Sequence, residues 1–457
     1  MRNVRFAVPF LGVLAALQVS FVGINERALP VIAGDLGIPG ARLVTAVSVV
    51  SIAAGATVIS AGLLADRLGR RRVLIAGLLI GALGCLLTMT VATEVAYYLS
   101  QVLTGAGFGA VFGASFAYVA SVARTGKVPV ALGVFGATFG VANLGFLFLA
   151  QALPTSNARL GFLIPGSVAI VAAMLVPVVL HAVSGDSPAG VDWIGQLLLA
   201  GGIASLLFGL SQVGAPGSAL FALSAIIVGV VLLLSFYVFE SNASNAFFAA
   251  AVFETPTFLA AVLAGLIYSF GFAAAMLSAR LLWPTLSGGV TTDLSVWQLP
   301  LGLGLIAGSF ITGRRMSEYT AVRGTLFFGA MLTAFGLLAL AAASREPSVL
   351  ACLPGLLLAG VGAGVVSIPF GYLIFRLAPS NAFGPVTGSR VAIGELGYVI
   401  AIALTTLTMS RLTVGDGISH ALTVTLGVAA LLVLVAGAAA AHLLRGTDSE
   451  ETVTAST

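Results

Sequence analysis

Glu395 is the residue whose type and surroundings most invite chemistry. It lies in an apolar stretch from about residue 387 to residue 410, after Gly388. That places it roughly 12 Å along a helix rising 1.5 Å per residue. A carboxyl group at such depth passes between neutral and charged forms according to its access to water, as a proton-carrying site requires. A glutamate held permanently protonated by a neighbouring helix fits the same position, and the sequence leaves both readings open. Glu26 and Arg27 stand near the end of the first apolar run. Adjacent residues point about 100° apart on a helix, so the two cannot face one partner. Arg27 suits an outer-gate or snorkelling position, and Glu26 a polar position facing a cavity, as a second candidate for proton coupling. Asn25, Gln101 and Asn143 are neutral amides inside apolar runs. Each could bond a polar group of a small substrate or a neighbouring helix.

Other chemistries find little support. His181, His420 and His442 fall at the ends of apolar runs, far apart, without the spacing of metal ligands. Cys85 and Cys352 lie inside apolar runs and read as buried thiols, with neither a disulfide framework nor a metal site. The chain has no phosphate-binding loop, so ATP is not expected to drive it. No nucleophile stands beside a base in the pattern of an enzyme. The expectation is a protein that is not an enzyme and uses no cofactor.

The elements that carry these residues follow from composition. Hydrophobic residues make up 59% of the 457 positions and charged residues 8%, against roughly 25% charged in soluble domains. So few charges cannot cover a water-exposed surface, so the chain belongs in a membrane among lipids. Fourteen apolar runs long enough to span the hydrocarbon core are separated by polar breaks, and they lack the alternation of a barrel. The first resembles a signal peptide, with Arg2 and Arg5 ahead of it. It extends from about Phe6 to Ile24 without a small-residue cleavage site, and reads as a retained helix.

An even number of spans puts both termini on one side. Assigning them to the cytoplasm leaves 14 of the 20 basic residues inside and six outside, the expected bias. The net charge of +4 is therefore a topology signal in short loops rather than a nucleic-acid patch. The last twelve residues, 446–457, are polar and acidic and read as a disordered cytoplasmic tail.

The sequence also repeats. A shift of 252 carries Asp66 to Glu318, Arg71 to Arg323 and Gly77 to Gly329, and carries Asn143-Leu144-Gly145-Phe146 onto Glu395-Leu396-Gly397-Tyr398. A shift of 255 carries Gly105, Gly107 and Gly109 onto Gly360, Gly362 and Gly364. The repeat predicts a six-helix half over residues 1–184 and another over 257–445, with two inserted helices and their linkers over 185–256. Two such halves around a central cavity are the layout for alternating access.

The loop Gly62-Leu63-Leu64-Ala65-Asp66-Arg67-Leu68-Gly69-Arg70-Arg71-Arg72 resembles the signature loop of the major facilitator superfamily almost position for position. The resemblance implies that Gly62, Asp66, Arg67, Gly69, Arg70 and Arg71, with Glu318 in the second half, form a conformational latch. Fourteen spans, together with Ala28-Leu29-Pro30, Asp35-Leu36-Gly37, Val191-Asp192-Trp193-Ile194-Gly195 and Glu395-Leu396-Gly397, are similar to the superfamily's drug:proton antiporter branch. Three positions depart from that branch. Phe21 stands where an aspartate is usual, Gln101 where many relatives have an arginine, and the stretch Gly136–Asn143 lacks the usual Gly-Pro.

The leading expectation is proton-coupled export of a small amphipathic or hydrophobic organic compound by a monomeric, multi-pass protein of the bacterial inner membrane. Protons and membrane lipids would be its other partners. The departures motivate a second reading, a facilitator or lipid transporter without proton coupling. A non-transporting receptor or scaffold is the third.

Overall fold

A computed structural model of the protein describes residues 4–123, 127–181, 193–214, 217–242, 255–286, 294–316, 322–378 and 383–445. Among them the regular structure is helical. Apolar runs in lipid must satisfy every backbone N–H and C=O within the segment, and the helix does this locally. The helices are α1 (Val4–Leu36), α2 (Leu43–Leu68), α3 (Arg70–Thr90), α4 (Glu94–Val122), α5 (Val128–Gln151), α6 (Leu163–Val179), α7 (Trp193–Ser211), α8 (Ala219–Ser241), α9 (Pro256–Leu286), α10 (Leu294–Arg315), α11 (Val322–Ala343) and α12 (Val349–Leu377). The final run, Phe383–Leu443, is broken at Gly417, where φ is 79°. It therefore makes two helices, α13 before the break and α14 after it.

Thirteen of these fourteen helices are long and apolar enough to cross a membrane. The exception is α10, which ends in Arg314 and Arg315. The fold is thus the fourteen-helix membrane architecture expected from the sequence, although several ends move. Helix α1 continues through Pro30 to Leu36. Residues 155–162, ahead of α6, form a tighter 3₁₀ segment.

The described residues group into two compact units. One lies within Met1–Val122, Val141–Ala250 and Ala378–Glu395, the other within Ala123–Gly140, Ala251–Leu377 and Leu396–Thr457. Helices α5 and α13 each contribute to both.

In the first unit α4 is the hub, packed against α1, α2 and α3. Its glycines explain the closeness. A Cβ on Gly105 would lie 2.2 Å from the Val50 carbonyl oxygen of α2, one on Gly107 2.4 Å from the Gly81 nitrogen of α3, and one on Gly109 2.7 Å from Ala54 Cα of α2. The second unit repeats the arrangement around α12, which packs against α9, α10 and α11. There a Cβ on Gly360 would lie 2.1 Å from the Leu301 oxygen of α10, one on Gly362 2.3 Å from the Thr333 nitrogen of α11, and one on Gly364 2.4 Å from the Leu305 oxygen of α10. Each glycine in the sequence repeat therefore meets the equivalent helix in its own unit. Without a hydrophobic drive between helices in lipid, backbone approach of this kind supplies the van der Waals contact that holds them.

Helices α7 and α8 pair with each other, and α7 packs on α2. Helix α8 turns its large apolar side chains outward, including Leu220, Phe221 and Leu234. That face suits contact with lipid tails.

Candidate functional site

Glu395 projects from α13 into the interior of the first unit and is 9% exposed. Its partners come from helices far away in the chain. The Gln18 Nε2 of α1 donates to Glu395 Oε1 at 2.5 Å. The Ser51 side chain of α2 lies beside the carboxyl. Gly55, one turn beyond Ser51, gives Leu207 of α7 room: a Cβ there would lie 2.8 Å from Leu207 Cδ1 and at an ordinary 3.5 Å from Glu395 Cβ. The result is a buried polar pair with Leu207 nearby. Gln18 is the residue that sequence reasoning missed. It is a polar residue inside the first apolar run, and the rule that singled out Asn25 applies equally to it.

Arg390, one and a half turns before Glu395, is buried at 8% exposure, with its guanidinium 4.4 Å from the centre of the Phe116 ring of α4. The π face of an aromatic ring attracts a cation, more strongly where water is excluded.

The signature loop is a tight junction between α2 and α3. Gly69 has φ of 95°, which an L side chain rarely adopts, and it separates the two helices. Across it, Arg70 pairs with Asp66 at 3.3 Å. The other terminal nitrogen of Arg70 donates to the Ala117 carbonyl of α4 at 3.2 Å. Gly62 is buried in α2, while Arg67 and Arg71 are half-buried beside the junction. Glu318 lies outside the described residues, as do Val191 and Asp192.

The remaining candidates sit apart. Asn25 is fully buried, and its Oδ1 accepts from the Tyr97 hydroxyl at 3.0 Å; the same hydroxyl lies 3.1 Å from the Ala46 oxygen. It joins α1, α2 and α4. Gln101 is buried between α3 and α4, with its Nε2 3.4 Å from Thr88 Oγ1. Asn143 is half-buried on α5 and accepts from Ser20 Oγ of α1 at 3.0 Å. Glu26 is half-buried on α1. Its neighbour Arg27 closes the end of α5, donating to the carbonyls of Ala150, Gln151 and Leu153. The last carbonyls of a helix lack partners within it and carry partial negative charge, so a cation is well placed there. No group of three or more His, Cys, Asp or Glu side chains able to hold a metal occurs among the described residues.

These features define a class: a polytopic helical membrane protein with polar side chains buried between facing helices. The family follows from comparison. The family model of the Major Facilitator Superfamily matches residues 10–402, and the chain belongs to that superfamily of transporters rather than to an enzyme family.

It is 26% identical over 400 residues to the multidrug transporter protein MdtP of Bacillus subtilis, covering 85% of this chain and 72% of that one. To the puromycin resistance protein pur8 of Streptomyces alboniger it is 26% identical over 414 residues, covering 87% and 81%. Against the MFS-type transporter Rv1877 of Mycobacterium tuberculosis it is 29% identical over 323 residues, which is 68% of this chain and only 45% of the relative. The chain thus spans under half the length of that relative. Among solved structures, the human organic anion transporter MFSD10 superimposes with a TM-score of 0.66 at 17% identity, covering 96% of this chain and 99% of the other. The proton:xylose symporter XylE does so with a TM-score of 0.66 at 13% identity, covering 95% and 94%. At such identities the likeness is one of fold.

Proposed function

We propose that the protein exports a small amphipathic or hydrophobic organic compound in exchange for protons, and that Glu395 is the group that takes up and releases the proton. The carrying observation is the buried Glu395 carboxyl held by Gln18, with Ser51 beside it. An ionised carboxyl only accepts hydrogen bonds, and these two side chains can both donate to it. The relatives named for multidrug transport and puromycin resistance support the substrate class.

Transport is by alternating access of the six-helix halves, residues 1–184 and 257–445. The Asp66, Arg67, Arg70 and Arg71 cluster around Gly62 and Gly69 stabilises one of the two conformations. Glu26 is a second proton-linked carboxyl. Asn143, half-buried beside Ser20, is the amide best placed to bond a substrate. Asn25 and Gln101 serve it more remotely, since both are fully buried. The protein is a monomer of the bacterial inner membrane with both termini in the cytoplasm.

Everted membrane vesicles carrying an inside-acid gradient and a pH-sensitive dye test this reading. A panel of lipophilic cations, neutral antibiotics and lipids is added to wild type and to Glu395→Gln. The expected result is that at least one compound collapses the gradient in wild type and not in the variant. Labelled compounds that cross without moving protons would replace it with the facilitator reading, which the absent aspartate at Phe21 favours.

A further inference from the structure

We propose that Gln18 is the positioning residue of the Glu395 proton cycle, holding the carboxylate through its amide N–H and the protonated carboxyl through its amide oxygen. This rests on the reading of Glu395 given above. Gln18 is 1% exposed, midway along α1. Its Nε2 is committed to Glu395 at 2.5 Å, whereas its Oε1 is buried without a hydrogen-bond partner among the described residues. A buried carbonyl oxygen left so is uncommon and costly, and calls for an explanation.

The two forms of a carboxyl group supply one. A carboxylate offers only acceptors, while a carboxylic acid carries one O–H donor. A side-chain amide holds a donor and an acceptor on the same carbon, and a half-turn about its terminal torsion exchanges them. With Glu395 ionised, the N–H faces it and the oxygen is left over, which is the arrangement seen. With Glu395 protonated, the amide turns and its oxygen accepts the carboxyl O–H. The proton itself passes between Glu395 and water, and Gln18 neither gains nor loses one. Methionine or leucine at position 18 could fill the space but could serve neither form.

Ser51, the other polar side chain beside the carboxyl, carries no charge. Helix α7, whose Leu207 walls the site, carries no ionisable residue. The charged groups of α2 are Asp66 and Arg67, four turns beyond Ser51. On α1 they are Arg5, Glu26, Arg27 and Asp35, none within two turns of Gln18. On α13 itself the nearest is Arg390, stacked over Phe116.

The test is infrared difference spectroscopy of the purified protein between acid and alkaline pH, which needs no substrate. Wild type should show a carboxyl C=O band that titrates, accompanied in step by a change in a side-chain amide band, and Glu395→Gln should lose both. Gln18→Met should keep the carboxyl band, lose the amide change, and move the midpoint alkaline by about one pH unit. That size reflects a hydrogen bond to a charged group being roughly twice as strong as a neutral one. Gln18→Asn, too short to reach, should behave like Gln18→Met and serves if the methionine variant does not accumulate.

An unmoved midpoint in these variants overturns the proposal, as does a wild-type titration without any amide change. If wild type shows no carboxyl band that Glu395→Gln removes, the coupling role of Glu395 fails instead. A band lost in Glu395→Gln but unmoved in the Gln18 variants isolates the failure to Gln18.

Discussion

Placing a single methyl group on Gly105 or Gly360 should weaken the two units by the same mechanism. In Gly105→Ala the new Cβ would lie 2.2 Å from the Val50 oxygen, and in Gly360→Ala 2.1 Å from the Leu301 oxygen. Ordinary contact begins near 3.4 Å, so α4 must move from α2 by about 1.2 Å, and α12 from α10 by about 1.3 Å, in the direction of contact. The obstacle is backbone in both cases, with no flexible side chain to give way. Overpacking of this kind costs about 1–3 kcal/mol. Because the two sites lie in separate units and share no partners, the double variant should lose the sum of the single losses.

The assay is thermal unfolding of the purified protein in detergent, followed by loss of the monodisperse peak. Gly145→Ala and Gly427→Ala are the controls, since a Cβ at either meets nothing within 4 Å. Alanine is also the better helix former. Both controls should unfold at the wild-type temperature or slightly above it, and Gly105→Ala and Gly360→Ala several degrees below. If the four variants unfold together, close backbone approach is not what these glycines provide, and the equivalence of the α4 and α12 hubs loses its physical basis.

Arg27→Met removes the donors that close the end of α5, where hydrogen bonds from a charged group are worth about 1.5–3 kcal/mol. The unfolding temperature should fall by several degrees; an unchanged unfolding temperature would refute the capping role. Asp66→Asn breaks a pair whose side chains are each 12% exposed. Its expected signature is a slower transport cycle with little change in unfolding temperature, measured as initial efflux rate against thermal stability. A large drop in stability with a normal cycle would make the pair structural.

The sequence alone determined the class of this protein and the location of its helices. Lipid forbids unpaired backbone polar groups, so apolar runs must become helices whatever their neighbours are, and composition suffices to find them. The repeat was legible for a related reason. Gly105, Gly107 and Gly109 stand out as a spaced set because only glycine permits the contacts they make, and the same need recurs at Gly360, Gly362 and Gly364. The signature loop was legible because Gly69 and the charges around it are constrained within a few residues of one another.

Tertiary structure decided the partners. Nothing local to Gln18 marks it as the residue facing Glu395, 377 positions away. Arg390 looks like an interfacial arginine until α13 is laid against α4 and Phe116 is seen beneath it. Arg27 looks like a gate until the end of α5 arrives beside it. Helix formation in a membrane is settled by each segment with its solvent, within a few turns. Which buried polar groups meet depends on how distant helices pack face to face, and no single segment carries that information.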